Sequence, residues 1–202
     1  MPAGVSLDAV GRADELVSTD AERACLAELR AATGEVDGAM ERHCVRQLLI
    51  AERLGEDVEG GVDRELLLCA ALLHDAGLYP GVSTHDAYVT DGRRLAERTL
   101  APYDWPGERL ARCLDAIEQH HSWRSRWDWG VEVELIRRAD LIDVSRGLVA
   151  FGLPRSWLHE LRRDVPWTGF WRTLAGEILR MLRERPRSVI RIFSPGSEPT
   201  RG

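Results

Sequence analysis

The chain has 202 residues and a mass of 22.7 kDa, with 27 basic residues against 33 acidic ones and a formal net charge of −6. Every basic residue is Arg; the sequence contains neither Lys nor Asn. A Walker A loop, a Schiff-base Lys, a Ser–Lys dyad and a Cys–His–Asn triad are therefore excluded, and the acidic balance argues against general nucleic-acid binding.

The pattern is helical nearly throughout. Residues 1–7 read as a frayed end, and a first helix is expected over about 8–32, punctuated by Gly34 and Gly38. A second runs from about Asp37, taken as its N-cap, to Leu54, with Gly55 beyond. The third spans about 63–76 and stops before Gly77; its segment 66–73 (LLLCAALL) is apolar on every face, as expected of the central helix of a bundle. A loop with Pro80, Gly81 and Ser83 follows, and Thr84 is the expected cap of a fourth helix to about Leu100. Pro106 suits the first turn of a fifth, to about His121. A Trp- and Arg-rich loop over 122–130 leads to a sixth helix, about 131–148, and two more follow Pro154 and Pro166. Only residues 188–193 (SVIRIF) have any strand character, and 194–202 read as a disordered tail.

The sum is one all-α domain of eight helices. Its expected parts are an N-terminal helix and lead-in (1–36), a helical core (37–150), a C-terminal helical extension (151–193) and the tail. Cys25, Cys44, Cys69 and Cys113 form no CxxC pair and fall in apolar helical stretches, so free core thiols in a reducing compartment are expected. Residues 1–12 lack the pattern of a signal peptide, and no apolar run reaches the ~18 residues of a membrane helix. A cytoplasmic protein is the expectation.

The chemistry concentrates at Leu72-Leu73-His74-Asp75-Ala76-Gly77, where a His and an Asp sit side by side at the end of a very apolar helix. Burying such a pair without partners is costly, so something must compensate it. His43 shares a helix face with Met40, Gln47, Ile50 and Leu54. His121 continues the stripe Leu110, Leu114, Ile117, with His120 beside it, and Asp140 and Asp143 continue the stripe Val133, Ile136. Four helices thus offer His or Asp to a common interior, which is more economically a metal site than four separate core residues. A mixed set of imidazoles and carboxylates suits Mn, Fe, Co, Ni or Zn rather than a calcium-type oxygen cage.

This arrangement resembles the HD-domain superfamily of metal-dependent hydrolases. Their pattern of a His, a His-Asp pair and a distant Asp on an all-α bundle is matched by His43, His74-Asp75 and Asp140, over about residues 37–150. The flanking runs His43-Cys-Val-Arg46, Cys69-Ala-Ala-Leu-Leu-His74-Asp75-Ala-Gly77 and Arg138-Ala-Asp140 also match. The resemblance implies a single HD-type bundle with His43, His74, Asp75 and Asp140 as metal ligands. It implies a metal-activated water as nucleophile. Asp75 would be able to bridge two ions in a dinuclear member. One metal is the favoured occupancy; His85, His120 and His121 are the candidates for a second ion or for the substrate. Asp75, His120, His121 and Arg46 are the candidate catalytic groups: His120 or His121 as general acid, Arg46 for a substrate anion, with Arg146 as another cation nearby. Asp140 is favoured over Asp143 as the last ligand, leaving Asp143 to orient an Arg or a ligand. His159 is expected at the surface. Trp123, Trp127 and Trp129 either cover a pocket or pack on the bundle.

Three functions follow from the resemblance. The first is a phosphohydrolase of a nucleotide or small phosphate ester. A weaker similarity to the cyanamide hydratase-like branch, carried by Thr90-Asp91-Gly92-Arg93-Arg94-Leu95-Ala96 and by Arg185-Pro186-Arg187 before 190–193, implies a hydratase of a small nitrile. The third is a non-catalytic HD regulatory module, against which the intact ligand set argues. The expected partner is a small, anionic substrate, without membrane or nucleic acid; homo-oligomer formation is left open.

Overall fold

A computed structural model describes residues 12–84 and 86–184. Among them are nine α-helices and no strand: α1 (Ala13–Leu16), α2 (Asp20–Thr33), α3 (Ala39–Gly55), α4 (Arg64–Leu73), α5 (Tyr88–Leu100), α6 (Gly107–Gln119), α7 (Val131–Val144), α8 (Arg155–Asp164) and α9 (Phe170–Glu184). His85, the segment 188–193 and both chain ends fall outside the described residues. No described helix is long and apolar enough to cross a membrane.

Helix α4 is the axis of the bundle and touches α2, α3, α5, α6 and α7. Its residues Leu66 to Leu73 are all buried, as an all-round apolar segment requires. Asp63 caps it by accepting the N–H of Leu66 at 3.0 Å. All four cysteines are buried and free.

Several boundaries differ from the sequence expectation, each for a local reason. The expected first helix is split, because Thr19 and Glu22 form a reciprocal capping box that starts α2 afresh. Helix α3 is capped by Gly38, not Asp37, which sits at φ 51°. Thr84 does not cap α5: its N–H donates to Asp91 at 2.9 Å and its hydroxyl also bonds that carboxylate, so the helix begins at Tyr88. Helix α7 stops at Val144 rather than 148. Arg146 turns into the left-handed region there, and the N–H of Gly147 reaches back to Ile142 O at 2.8 Å.

The end of α4 matters most. The helix stops at Leu73, earlier than expected, and a 3-10 turn over Ala76–Leu78 follows. His74 keeps helical dihedrals and Asp75 leaves them, at φ −103° and ψ 1°. The start of α5 packs on this turn backbone to backbone. A Cβ on Gly77 would overlap the carbonyl of Tyr88, and one on Gly92 would meet Leu73 O at 3.0 Å. Gly77→Ala is therefore expected to lose roughly 3 kcal/mol or more, because the obstacle is backbone and not a movable side chain. Denaturant unfolding checks this; a loss below ~1 kcal/mol would show that the turn yields freely.

The loop before α7 is tied down by Glu134, whose side chain is fully buried. It accepts from the N–H of Arg126 (2.6 Å), from Arg137 Nε (2.8 Å) and from Arg138 Nε (2.7 Å). Burial alone would raise its pKa, but Arg137, Arg138 and the Arg126 N–H outweigh that and hold it at about 2. A depressed folded pKa gives stability that is present above the ordinary Glu value of about 4.5 and lost as pH falls toward 2. Wild type should lose more melting temperature between pH 5 and pH 2.5 than Glu134→Gln; parallel curves would contradict this.

Candidate metal centre

The site is assembled from the four places anticipated in the sequence. His43 comes from the buried face of α3, His74 and Asp75 from the end of α4, His120 and His121 from the end of α6, and Asp140 from α7. His43, His74, His120 and Asp140 are each at most 2% exposed, and Asp75 6%. The Nε2 atoms of His43 and His74 lie 3.2 Å apart, and Asp140 Oδ1 lies 3.4 Å from the first and 3.8 Å from the second. Asp75 Oδ2 is 3.3 Å from His74 Nε2, and its Oδ1 is 3.6 Å from His120 Nε2. His121 Nδ1 stands 3.5 Å from Asp140 Oδ2. Among the described residues, three overlapping groups have ligand atoms within 4.8 Å of one another: His43, His74 and Asp140; His74, Asp75 and His120; His120, His121 and Asp140.

The opposite edges of the rings show why these atoms face each other. His74 Nδ1 lies 2.8 Å from Ala71 O, and His120 Nδ1 2.6 Å from Ile117 O. A carbonyl only accepts, so each Nδ1 carries a proton and each Nε2 is the ring nitrogen turned to the interior. His43 Nδ1 likewise donates to Asp143 Oδ2 at 2.7 Å. Ring nitrogens and carboxylates thus converge in a buried space, and Asp75 Oδ1 has no hydrogen-bond donor. Such a set is poorly compensated by protein alone and fits a divalent cation.

The electrostatics agree. Burial pulls the His43 pKa down, but the carboxylates of Asp140 and Asp143 outweigh it and raise it to about 9. Without an ion they hold a proton where an ion would sit, so uptake of a cation would displace that proton. Asp75 is held well below the ordinary carboxylate value, His74 and His120 outweighing its burial. His121 is lowered to about 4 by burial and by the neighbouring His120, so its ring is neutral near pH 7. It is also the most accessible member, with 35% of its side chain exposed.

Asp140 and Asp143 take opposite sides of His43. Asp140 faces Nε2, among the other candidate ligands, and Asp143 faces Nδ1. Behind Asp143 stands Arg46, which donates from Nε to Oδ1 at 2.9 Å and from Nη2 to Oδ2 at 2.8 Å. Arg46 is fully buried, and its remaining nitrogen reaches the carbonyls of Val165 and Pro166. This corrects the expectation that Arg46 meets a substrate anion: it neutralises Asp143, because a carboxylate so deeply buried requires a paired charge. Arg146 is exposed and stacks on Trp167 and Trp171. His159 is exposed, as expected. His85 lies outside the described residues. Of the loop tryptophans, Trp129 packs on the core while Trp123 and Trp127 are 82% and 47% exposed.

The C-terminal extension contributes residues that the sequence did not single out. Phe170 is buried and stacks on His43, with ring centroids 4.6 Å apart. Trp167 Nε1 donates to Asp143 Oδ1 at 2.9 Å. Tyr88, from α5, lies with its hydroxyl 3.3 Å from His120 Nε2. No helical periodicity marks these three as partners of the cluster. A cleft of about 600 Å³ is lined by Arg42, Trp167, Trp171 and Arg172, and none of the candidate ligands lines it.

A family model described as HD domain matches residues 40–145, which contain every described candidate ligand. Among curated proteins, none matches the chain.

Proposed function

The chain belongs to the HD domain family, and on that premise we propose that it is a phosphohydrolase that acts, in the cytoplasm, on a nucleotide or another small phosphate ester with the help of a divalent transition-metal ion. The observation that carries the metal-dependent reading is the convergence of the His43 and His74 Nε2 atoms on Asp140, with each ring's Nδ1 already committed elsewhere. His43, His74, Asp75 and Asp140 would hold Mn, Fe, Co, Ni or Zn. Such an ion supplies an activated water near neutral pH and positive charge toward a substrate oxygen. His121, partly exposed beside Asp140, would exchange a proton with a substrate entering from solvent. His120 presents Nε2 next to Tyr88 and Asp75, where it either orients substrate or holds a second ion. One ion remains the favoured occupancy.

One observation favours a second reading, a hydratase of a small nitrile. Arg46 is spent on Asp143, and no described Arg bonds to the candidate ligands other than through Asp143. A neutral substrate needs no guanidinium, and Phe170 and Tyr88 give the site aromatic walls.

Metal analysis of the purified protein, followed by turnover of nucleotides, simple phosphate esters and small nitriles with each divalent ion, separates these readings. Phosphate release dependent on metal is expected. Protein that takes up no metal and turns over nothing with any added ion would overturn the proposal and restore the non-catalytic module. Nitrile hydration without phosphate release would establish the second reading in its place.

A further inference from the structure

The family match ends at residue 145, yet the side of His43 away from Asp140 is finished by residues beyond it. Asp143 collects four donated hydrogen bonds: His43 Nδ1 at 2.7 Å, Arg46 at 2.9 and 2.8 Å, and Trp167 Nε1 at 2.9 Å. The turn that delivers Trp167 also supplies the carbonyls of Val165 and Pro166 to Arg46 and leads directly into Phe170 on the His43 ring. So a single short segment, from the residue after α8 to the first residue of α9, touches His43, its acceptor Asp143 and the counter-charge Arg46.

We propose that Trp167 is a positioning residue for the metal centre, and that the segment 165–170 is a latch through which the ion and the C-terminal extension stabilise each other. The inference rests on the metal-centre reading above. Its physical basis is the geometry of Asp143. A carboxylate that accepts from both Arg46 and Trp167 is fixed in its plane, and a fixed Oδ2 fixes the tautomer and ring orientation of His43. Phe170 blocks the ring from tilting away. Coupling is reciprocal: if the docked extension orients His43 for an ion, the ion must favour the docked extension by the same factor.

Trp167→Phe removes the donor and keeps an aromatic ring. Trp171→Phe is the matched control, since Trp171 lies in the same extension but its Nε1 has no acceptor. The measurements are Mn and Zn affinity by calorimetry and amide exchange over residues 155–184, both with and without metal. Trp167→Phe is expected to weaken metal binding by roughly 10- to 100-fold, the usual cost of losing a partner of a ligand; Trp171→Phe is expected to match wild type. Metal should slow exchange across α8 and α9 in wild type and in Trp171→Phe, and much less in Trp167→Phe. Equal metal affinity in wild type and Trp167→Phe, or an equal loss in both variants, would overturn the latch while leaving the metal centre standing. Wild type that takes up neither ion would remove the metal centre and the latch together.

Discussion

Replacing His74 with alanine is expected to abolish measurable metal uptake and, with it, turnover. His74 belongs to two of the three groups of converging ligand atoms, so no subsite containing His43 or Asp75 survives its loss intact. An outer partner of a ligand is worth roughly 10- to 100-fold in affinity; a ligand itself should cost at least that upper figure. If the ion supplies several kcal/mol of stabilisation to the reaction, activity should fall by roughly a thousandfold or more. A second readout is independent of any substrate. At about 100 times its dissociation constant, a ligand that binds only the folded state adds roughly 2.7 kcal/mol. Wild type should therefore melt higher on addition of the right ion, and His74→Ala should show no such shift. A variant that keeps the shift would remove His74 from the site.

Arg46→Met is expected to be the most destabilising change among the residues around the site. The Asp143 carboxylate is buried and held well below the ordinary carboxylate pKa; burial opposes this, and His43 and Arg46 outweigh it. Removing Arg46 leaves a buried charge with only Trp167 and His43 to compensate it, at a cost of roughly 3–5 kcal/mol. It also frees the carbonyls of Val165 and Pro166 from their donor, which should loosen the extension. Pairing Arg46→Met with Asp143→Leu should cost less than the sum of the two single changes, because the unpaired charge is then gone. Denaturant unfolding of the metal-free protein measures all three. A loss below ~1 kcal/mol for Arg46→Met would mean that solvent reaches Asp143 after all.

How much was legible beforehand follows a physical line. Residues that act through helical periodicity could be read: the all-round apolar run of α4, and His43, His121 and Asp140 at the ends of apolar stripes, because helical spacing alone decides which face they occupy. The His74–Asp75 pair stood out because two polar residues ended so apolar a helix. Helix limits were less legible. Asp91 holding Thr84 and Glu22 pairing with Thr19 are side-chain choices that compete with the backbone, and periodicity does not report them. Arg46 illustrates the opposite failure. It lies one turn from His43, as the spacing predicts, but a guanidinium near a site serves substrate or structure according to what else is buried there.

The sequence by itself determined the helical class, the central helix, the family and the residue types able to hold a metal, and, having no Lys, it leaves acid–base work to His, Asp, Glu or water. Tertiary structure alone decided how those residues face one another. It gave Asp140 the Nε2 side of His43 and Asp143 the Nδ1 side, although both lie on one face of α7. It spent Arg46 on Asp143 and brought Trp167 and Phe170 from the extension onto the same histidine. The reason is that a ligand's orientation depends on its hydrogen-bond partners, and those partners are joined by packing rather than by spacing along the chain.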